Sequence, residues 1–334
     1  MHHNTEPTAS ASAKDTEVEQ PVAPDLTPIA IAARGREITG LRIFQRTIAE
    51  DDITRTRLEE LLLAMNTDQP TGGVDMTYGN GDAQHLRYWE SKSTDAPIIL
   101  FVHGGSWRSG TYLDSIGSTK VAHLTSQGYA FATVNYTLIP SVTVEEQVQE
   151  VADSLGYLVK NAARLGFDPQ RIILMGHSSG AHVVTLLGTD KRYLEKAGIN
   201  IHTVRAVISL DGSNYNALAE IADSPGPVAE NTTIGLGTDP KRLQDVSPTY
   251  HARAPNAGAF LLLQVQRQGD IRQAVELSAA LEAAGTDVAL HVFEGESFEG
   301  HMQMLLRLGD TTYPATLVMD KWLKVHVPVT ISSA

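Results

Sequence analysis

The stretch that decides the fold is RIILMGHSSGAHVVTLL, residues 171–187. Residues 171–175, apolar after Arg171, read as a buried strand. Residues 181–187 read as an apolar helix. Between them Gly176-His177-Ser178-Ser179-Gly180 fits the pattern G-x-S-x-G. A serine on so tight a strand-to-helix turn is held in a strained backbone with its hydroxyl exposed. A side chain at either flanking glycine would clash in the turn. The helix that opens there aims free N–H groups and a positive dipole end at developing negative charge. A plain Gly-Ser turn is the bland alternative. A phosphate-binding turn is disfavoured because the lysine of a P-loop is missing. Ser178 is therefore the candidate nucleophile, and Ser179 contributes its backbone N–H.

Working outward, strand and helix patterns alternate. Upstream, strands are expected at 74–78, 86–89, 98–102 and 129–135, with helices at 118–127 and 144–165. Downstream, strands are expected at 204–210, 260–265 and 288–293, with helices at 272–284 and 313–326. Such alternation argues for a mostly parallel sheet covered by helices on both faces. Residues 213–255 break the rhythm and are read as an insertion, or small cap, over the carboxyl edge of the sheet, where ligands of open α/β sheets bind.

His103-Gly104-Gly105-Ser106-Trp107 follows the 98–102 strand. Two glycines at a strand end let N–H groups turn toward a substrate oxygen, so the N–H groups of Gly105 and Ser106, with that of Ser179, form the expected oxyanion hole. His103 is read as a structural imidazole pinning that loop. Trp107 is either a pocket wall or a core residue. Among the histidines after Ser178, His301 stands out. It follows the last strand through the loop 294–300, which places it above the carboxyl edge as the general base. His182 is read as structural. The acid is expected in the loop after the 260–265 strand, at Asp270, with Asp211, Glu294 and Glu296 as rivals. A helix N-cap is the bland reading of Asp270.

The chain has 334 residues, a formal net charge of −13 and no cysteine. The cysteine count excludes disulfides, thiolate metal sites and a cysteine nucleophile. The acidic surface makes nucleic acid an unexpected partner. No apolar run reaches the ~18 residues of a membrane span. Residues 1–28, acidic and proline-rich, read as a disordered tail. They carry no basic and then apolar leader pattern, which points to the cytoplasm, or to the periplasm or exterior if a leader has been removed. Residues 29–73 read as an N-terminal helical arm, with residues 50–65 amphipathic, that packs on the main domain at 74–334 or serves as part of a lid.

These residues also carry a family resemblance. The loop at 103–107 resembles the HGG-x-W loop of kynurenine formamidases and related bacterial carboxylesterases. Asn135-Tyr136-Thr137-Leu138-Ile139-Pro140 resembles their N-Y-R-L-x-P segment, residues 176–182 resemble G-H-S-A-G-A-H, and Ser247-Pro248 resembles the S-P before the acid strand. Thr137 stands where arginine is usual, Ser106 replaces a third glycine of lipase-like esterases, and no hydrophobic-proline pair follows Asp270. From about residue 74 onward the resemblance implies an α/β-hydrolase fold. It implies a serine hydrolase with no metal or organic cofactor, cleaving small carboxylic esters through an acyl-enzyme. Aryl formamide hydrolysis is the rival within hydrolases, and a non-catalytic binding protein the rival outside them. By analogy, the last strand and the helix after it offer a surface for a homodimer.

Overall fold

The computed structural model describes residues 68–329, together with Glu60 and Leu63. The tail at 1–28 and almost all of the arm expected from residue 29 lie outside the described residues.

Eight strands form one sheet in the order β1-β2-β4-β3-β5-β6-β7-β8. They are β1 (Val74–Thr77), β2 (His85–Trp89), β3 (Ala96–Val102), β4 (Ala130–Val134), β5 (Phe167–His177), β6 (Val204–Leu210), β7 (Ala259–Gln266) and β8 (Asp287–Glu296). β2 runs antiparallel to both β1 and β4, and every pairing from β4 to β8 is parallel. The mostly parallel, helix-flanked sheet expected from the sequence is the one observed.

The continuous apolar runs have a direct physical outcome. In β3, Ile98, Leu100 and Val102 face one core while Ile99 and Phe101 face the other. β5 divides the same way, with Ile172 and Leu174 on one side and Ile173 and Met175 on the other. Side chains alternate across a strand, so a strand covered on both faces must be apolar at every position.

The helices in chain order are α1 (Ser118–Ser126), α2 (Val144–Lys160), α3 (Ala162–Leu165), α4 (Ser179–Thr189), α5 (Lys191–Lys196), α6 (Ala217–Asp223), α7 (Pro227–Leu236), α8 (Pro240–Asp245), α9 (Pro248–His251), α10 (Gln268–Ala283), α11 (Ser297–Arg307) and α12 (Pro314–His326). α2 opens on a capping box: Thr143 accepts from the Glu146 N–H while the Glu146 carboxylate accepts from the Thr143 N–H. The single helix expected over 144–165 is two, parted at Asn161, whose side-chain amide donates to the Tyr157 carbonyl at 2.8 Å. Between β6 and β7, over the stretch expected as an insertion, lie α6 to α9, four short helices, three of which start with proline at the first position.

Two boundaries matter for the site. α10 begins at Gln268, four residues before the expected start, so Asp270 lies in its first turn. β8 extends to Glu296 and α11 begins at Ser297, so the expected loop at 294–300 is strand and helix, and His301 is helical. Gly300 permits this close join, because a Cβ there would meet the Gly295 backbone at 2.6 Å.

Candidate active site

The carboxyl ends of five consecutive parallel strands supply the site: β3 the loop at 103–109, β5 Ser178, β6 Asp211, β7 Arg267, and β8 the helix bearing His301.

Ser178 has φ 58 and ψ −124, a conformation that costs an L-residue on the order of 1–3 kcal/mol. Its neighbours enforce it. A Cβ on Gly176 would lie 2.3 Å from the Gly180 carbonyl oxygen, and one on Gly180 would lie 2.2 Å from that of Val102. Both flanking glycines are thus demanded by backbone contact, as the sequence pattern implies.

The loop after β3 is strained as well. Gly105, Ser106 and Trp107 have φ of 115, 52 and 62. Several bonds hold it. Arg108 and Ser109 donate backbone N–H groups to the Gly105 carbonyl, and the Trp107 carbonyl accepts from Gln147 Nε2 at 2.9 Å and from the Ile139 N–H at 3.1 Å. The Ser179 hydroxyl accepts from the Trp107 N–H at 3.3 Å. Among the described residues, the N–H groups of Gly105, Ser106 and Ser179 meet no acceptor. His103 stacks on Tyr136 with ring centroids 4.4 Å apart, and its Nδ1 lies 2.7 Å from the Gly104 carbonyl oxygen. Burial pushes this imidazole down to about 4. It is a neutral brace beneath the loop, as expected.

His301 lines the same cavity as Ser178, a space of about 210 Å³. Its Nδ1 lies 2.5 Å from Asp211 Oδ2. The acid expected beside it was Asp270, and the geometry departs from that. Asp270 has its Oδ2 on Arg267 Nη2 at 2.8 Å, and its Oδ1 has no partner among the described residues. The early start of α10 draws Asp270 into a helix, and the Arg267 guanidinium stands between it and the imidazole. The rivals Glu294 and Glu296 are exposed on β8. Asp211 was legible only as an acid at a strand end. It is fully buried, with φ 44, and its Oδ1 accepts from the Val265 N–H at 3.0 Å.

The electrostatics separate the two aspartates. Burial works against charge on Asp211, but Arg267 and the bonds from His301 and Val265 outweigh it, holding the carboxyl well below the usual range. Burial pushes Asp270 well above that range, and the nearby Glu220 and Asp211 add to the effect against the pull of Arg267. Burial also lowers His301, the Arg267 charge lowers it further, and Asp211 opposes both. Under His301 lies His177, its ring centroid 4.3 Å away and its Nε2 3.0 Å from the His301 carbonyl oxygen. The buried Lys120 of α1 donates to the Leu305 carbonyl at 2.6 Å, which ties the far end of α11 to α1.

Helix α7 contributes to the wall of the cavity. Pro227, Val228 and Asn231 of α7 line it together with Trp107 and Phe298. Trp107 is both of the things weighed for it: 2% exposed, and a wall of the cavity. His182 is buried, with its Nε2 2.7 Å from the Val246 carbonyl oxygen, a structural role.

The BD-FAE family model matches residues 87–281, more than half of the chain. A probable isoprenylcysteine alpha-carbonyl methylesterase ICME of Oryza sativa subsp. japonica is 25% identical over 215 residues, 60% of this chain and 51% of that protein. Carboxylesterase NlhH of Mycobacterium tuberculosis is 28% identical over 184 residues, 52% of this chain and 56% of that one. The chain thus spans about half the length of these curated relatives. Among solved structures, the apo form of Thermogutta terrifontis esterase 2 aligns with a TM-score of 0.62 at 21% identity, covering 78% of this chain and 97% of that one. That likeness supports the fold.

Proposed function

The chain belongs to the BD-FAE family, and from that footing we propose that it is a serine carboxylesterase that cleaves small carboxylic esters through an acyl-enzyme. One observation carries the reading. A serine in a strained strand-to-helix turn shares a small cavity with an imidazole whose far nitrogen is held by a buried, ionised carboxylate. The resemblances to carboxylesterase NlhH and to esterase LipC, both of Mycobacterium tuberculosis, support it.

In this account Ser178 Oγ attacks the ester carbonyl as His301 Nε2 takes its proton. The carbonyl oxygen becomes an oxyanion held by the N–H groups of Gly105, Ser106 and Ser179. The imidazolium then gives its proton to the departing alcohol, leaving the acyl group on Ser178. Water repeats the sequence, and the acid and the free serine are released. Asp211 replaces Asp270 as the acid. It fixes the tautomer with hydrogen on Nδ1 and stabilises the imidazolium. The cavity of about 210 Å³ suits a short acyl group.

The test is a rate comparison of wild type and Ser178→Ala on p-nitrophenyl esters from acetate to decanoate, with N-formylkynurenine alongside. Turnover of short esters that vanishes in the variant is the expected result. Preference for the formamide would move the activity to amide chemistry. Equal inertness of both proteins would favour a binding role.

A further inference from the structure

Arg267 is the least ordinary member of the site. Its guanidinium reaches three partners at once: Asp211 Oδ2 at 2.6 Å, Asp270 Oδ2 at 2.8 Å and His301 Nδ1 at 2.8 Å. It also lines the cavity, with 17% of its side chain exposed. An imidazole Nδ1 that donates to Asp211 has no lone pair left for an arginine N–H. The contact between the two nitrogens is therefore imposed by their sharing one carboxylate oxygen, and it sets a fixed positive charge against the ring that must become positive.

We propose that Arg267 is a positioning residue for the reaction: clamped between Asp211 and Asp270, its guanidinium holds the Asp211 carboxylate against His301 and sets the charge balance under which that imidazole works as a base. This rests on the esterase reading above and deepens it. The groups facing His301 are Asp211 from the end of β6, Arg267 from the end of β7, and His177 from β5 beneath the ring. Beyond the guanidinium lie Asp270 of α10 and Glu220 of α6. Of these, Arg267 alone is a permanent cation, and its Nη1 lies 2.8 Å from the ring nitrogen. A fixed cation there disfavours the imidazolium, so the ring stays neutral and able to accept a proton to lower pH. The same repulsion makes the imidazolium a readier donor to the leaving alcohol. Asp270 keeps the guanidinium in place from its far side, which gives the acidic residue in the expected acid position a use away from the imidazole.

The experiment is the pH dependence of kcat/KM for p-nitrophenyl acetate, which reports the ionisations of the free enzyme. Wild type, Arg267→Met and Arg267→Lys are compared, each normalised to active sites counted by fluorophosphonate titration. In Arg267→Met the acid limb is expected to move up by about one pH unit, a roughly ten-fold loss on the wild-type limb beyond any loss at the plateau. Arg267→Lys keeps the charge but not the fork that spans two carboxylates. Its limb is expected within a few tenths of wild type, with kcat down about five-fold or more. A limb unmoved in Arg267→Met overturns the proposal. Should that variant not fold, wild-type kcat in Arg267→Lys overturns it. An inactive wild type would instead remove the esterase reading, so the two failures are distinct.

Discussion

His301 Nδ1 and Asp211 Oδ2 meet at 2.5 Å across 90 residues of chain, joining the helix after β8 to the end of β6. Asp270, in the first turn of α10 after β7, bonds Arg267 instead of the imidazole. The account therefore separates two buried aspartates by function. Asp211→Asn is expected to lower kcat for p-nitrophenyl acetate by about 10³–10⁴-fold, the cost of the wrong imidazole tautomer. Asp270→Asn, which keeps the imidazole's partner, is expected to lose less than about ten-fold. Steady-state kinetics on the two purified variants checks the order, and the reverse order would return the acid's role to Asp270.

The oxyanion loop rests directly on the nucleophile's turn. A Cβ on Gly104 would lie 2.8 Å from both the Ser178 Cβ and the His177 carbonyl oxygen. Gly104→Ala must push the loop and the serine apart. The expected loss is about 10²–10³-fold in kcat, comparable to removing one oxyanion donor. Circular dichroism that stays near wild type would place that loss in the chemistry.

The wall at Trp107 sets the acyl group that fits. Trp107→Ala opens the cavity and is expected to shift the preference among p-nitrophenyl esters toward longer chains. It should cost about 3–5 kcal/mol of stability. Gly235→Ala acts oppositely, because its Cβ would lie 2.7 Å from the Trp107 ring. It is expected to cost about 1–3 kcal/mol through overpacking and to narrow the preference toward acetate. A chain-length series with thermal melts measures both effects.

The buried neutral histidines predict acid lability. Burial lowers His103 and His182 from 6.5 to about 4 each. The unfolded chain binds protons at these sites between those values while the folded chain does not, so stability is full above about pH 6.5 and is lost as pH falls toward 4. The upper bound is about 3 kcal/mol for each group. Melting temperature followed from neutral pH downward should fall across this window. A flat profile would contradict the assignment of both rings as neutral.

Much of this was legible in the sequence because the deciding signals are local. The apolar run of β5, the two flanking glycines and the helix behind Ser178 lie within a few turns of one another. His301 stands out in the sequence by its place after the last strand, and the structure sets it in one cavity with Ser178. What failed was helix starts. Gly269, Gly295 and Gly300 read as loop, yet Gly269 and Gly300 sit where a neighbour approaches too closely for a Cβ, and Gly295 has a φ of 126. That masked the first turns of α10 and α11. Masking α10 made Asp270 look like a loop acid, able to face the imidazole. Asp211 had no motif of its own, and its role depends on a pairing between strand ends that chain order does not encode. Arg267 was visible only as a residue beside Asp270, since nothing in a sequence reports a guanidinium lying between two carboxylates.

The central claim, a nucleophile at Ser178 activated by His301, is tested most directly by covalent trapping. The protein is treated with a fluorophosphonate, and the adduct is counted by intact mass and located by peptide mapping, while p-nitrophenyl acetate turnover is followed in parallel. The account predicts one adduct per chain on Ser178, with turnover lost in proportion to labelling, and no adduct in His301→Ala on the same timescale. An unlabelled protein, or an adduct on Ser179 with Ser178 free, would contradict it.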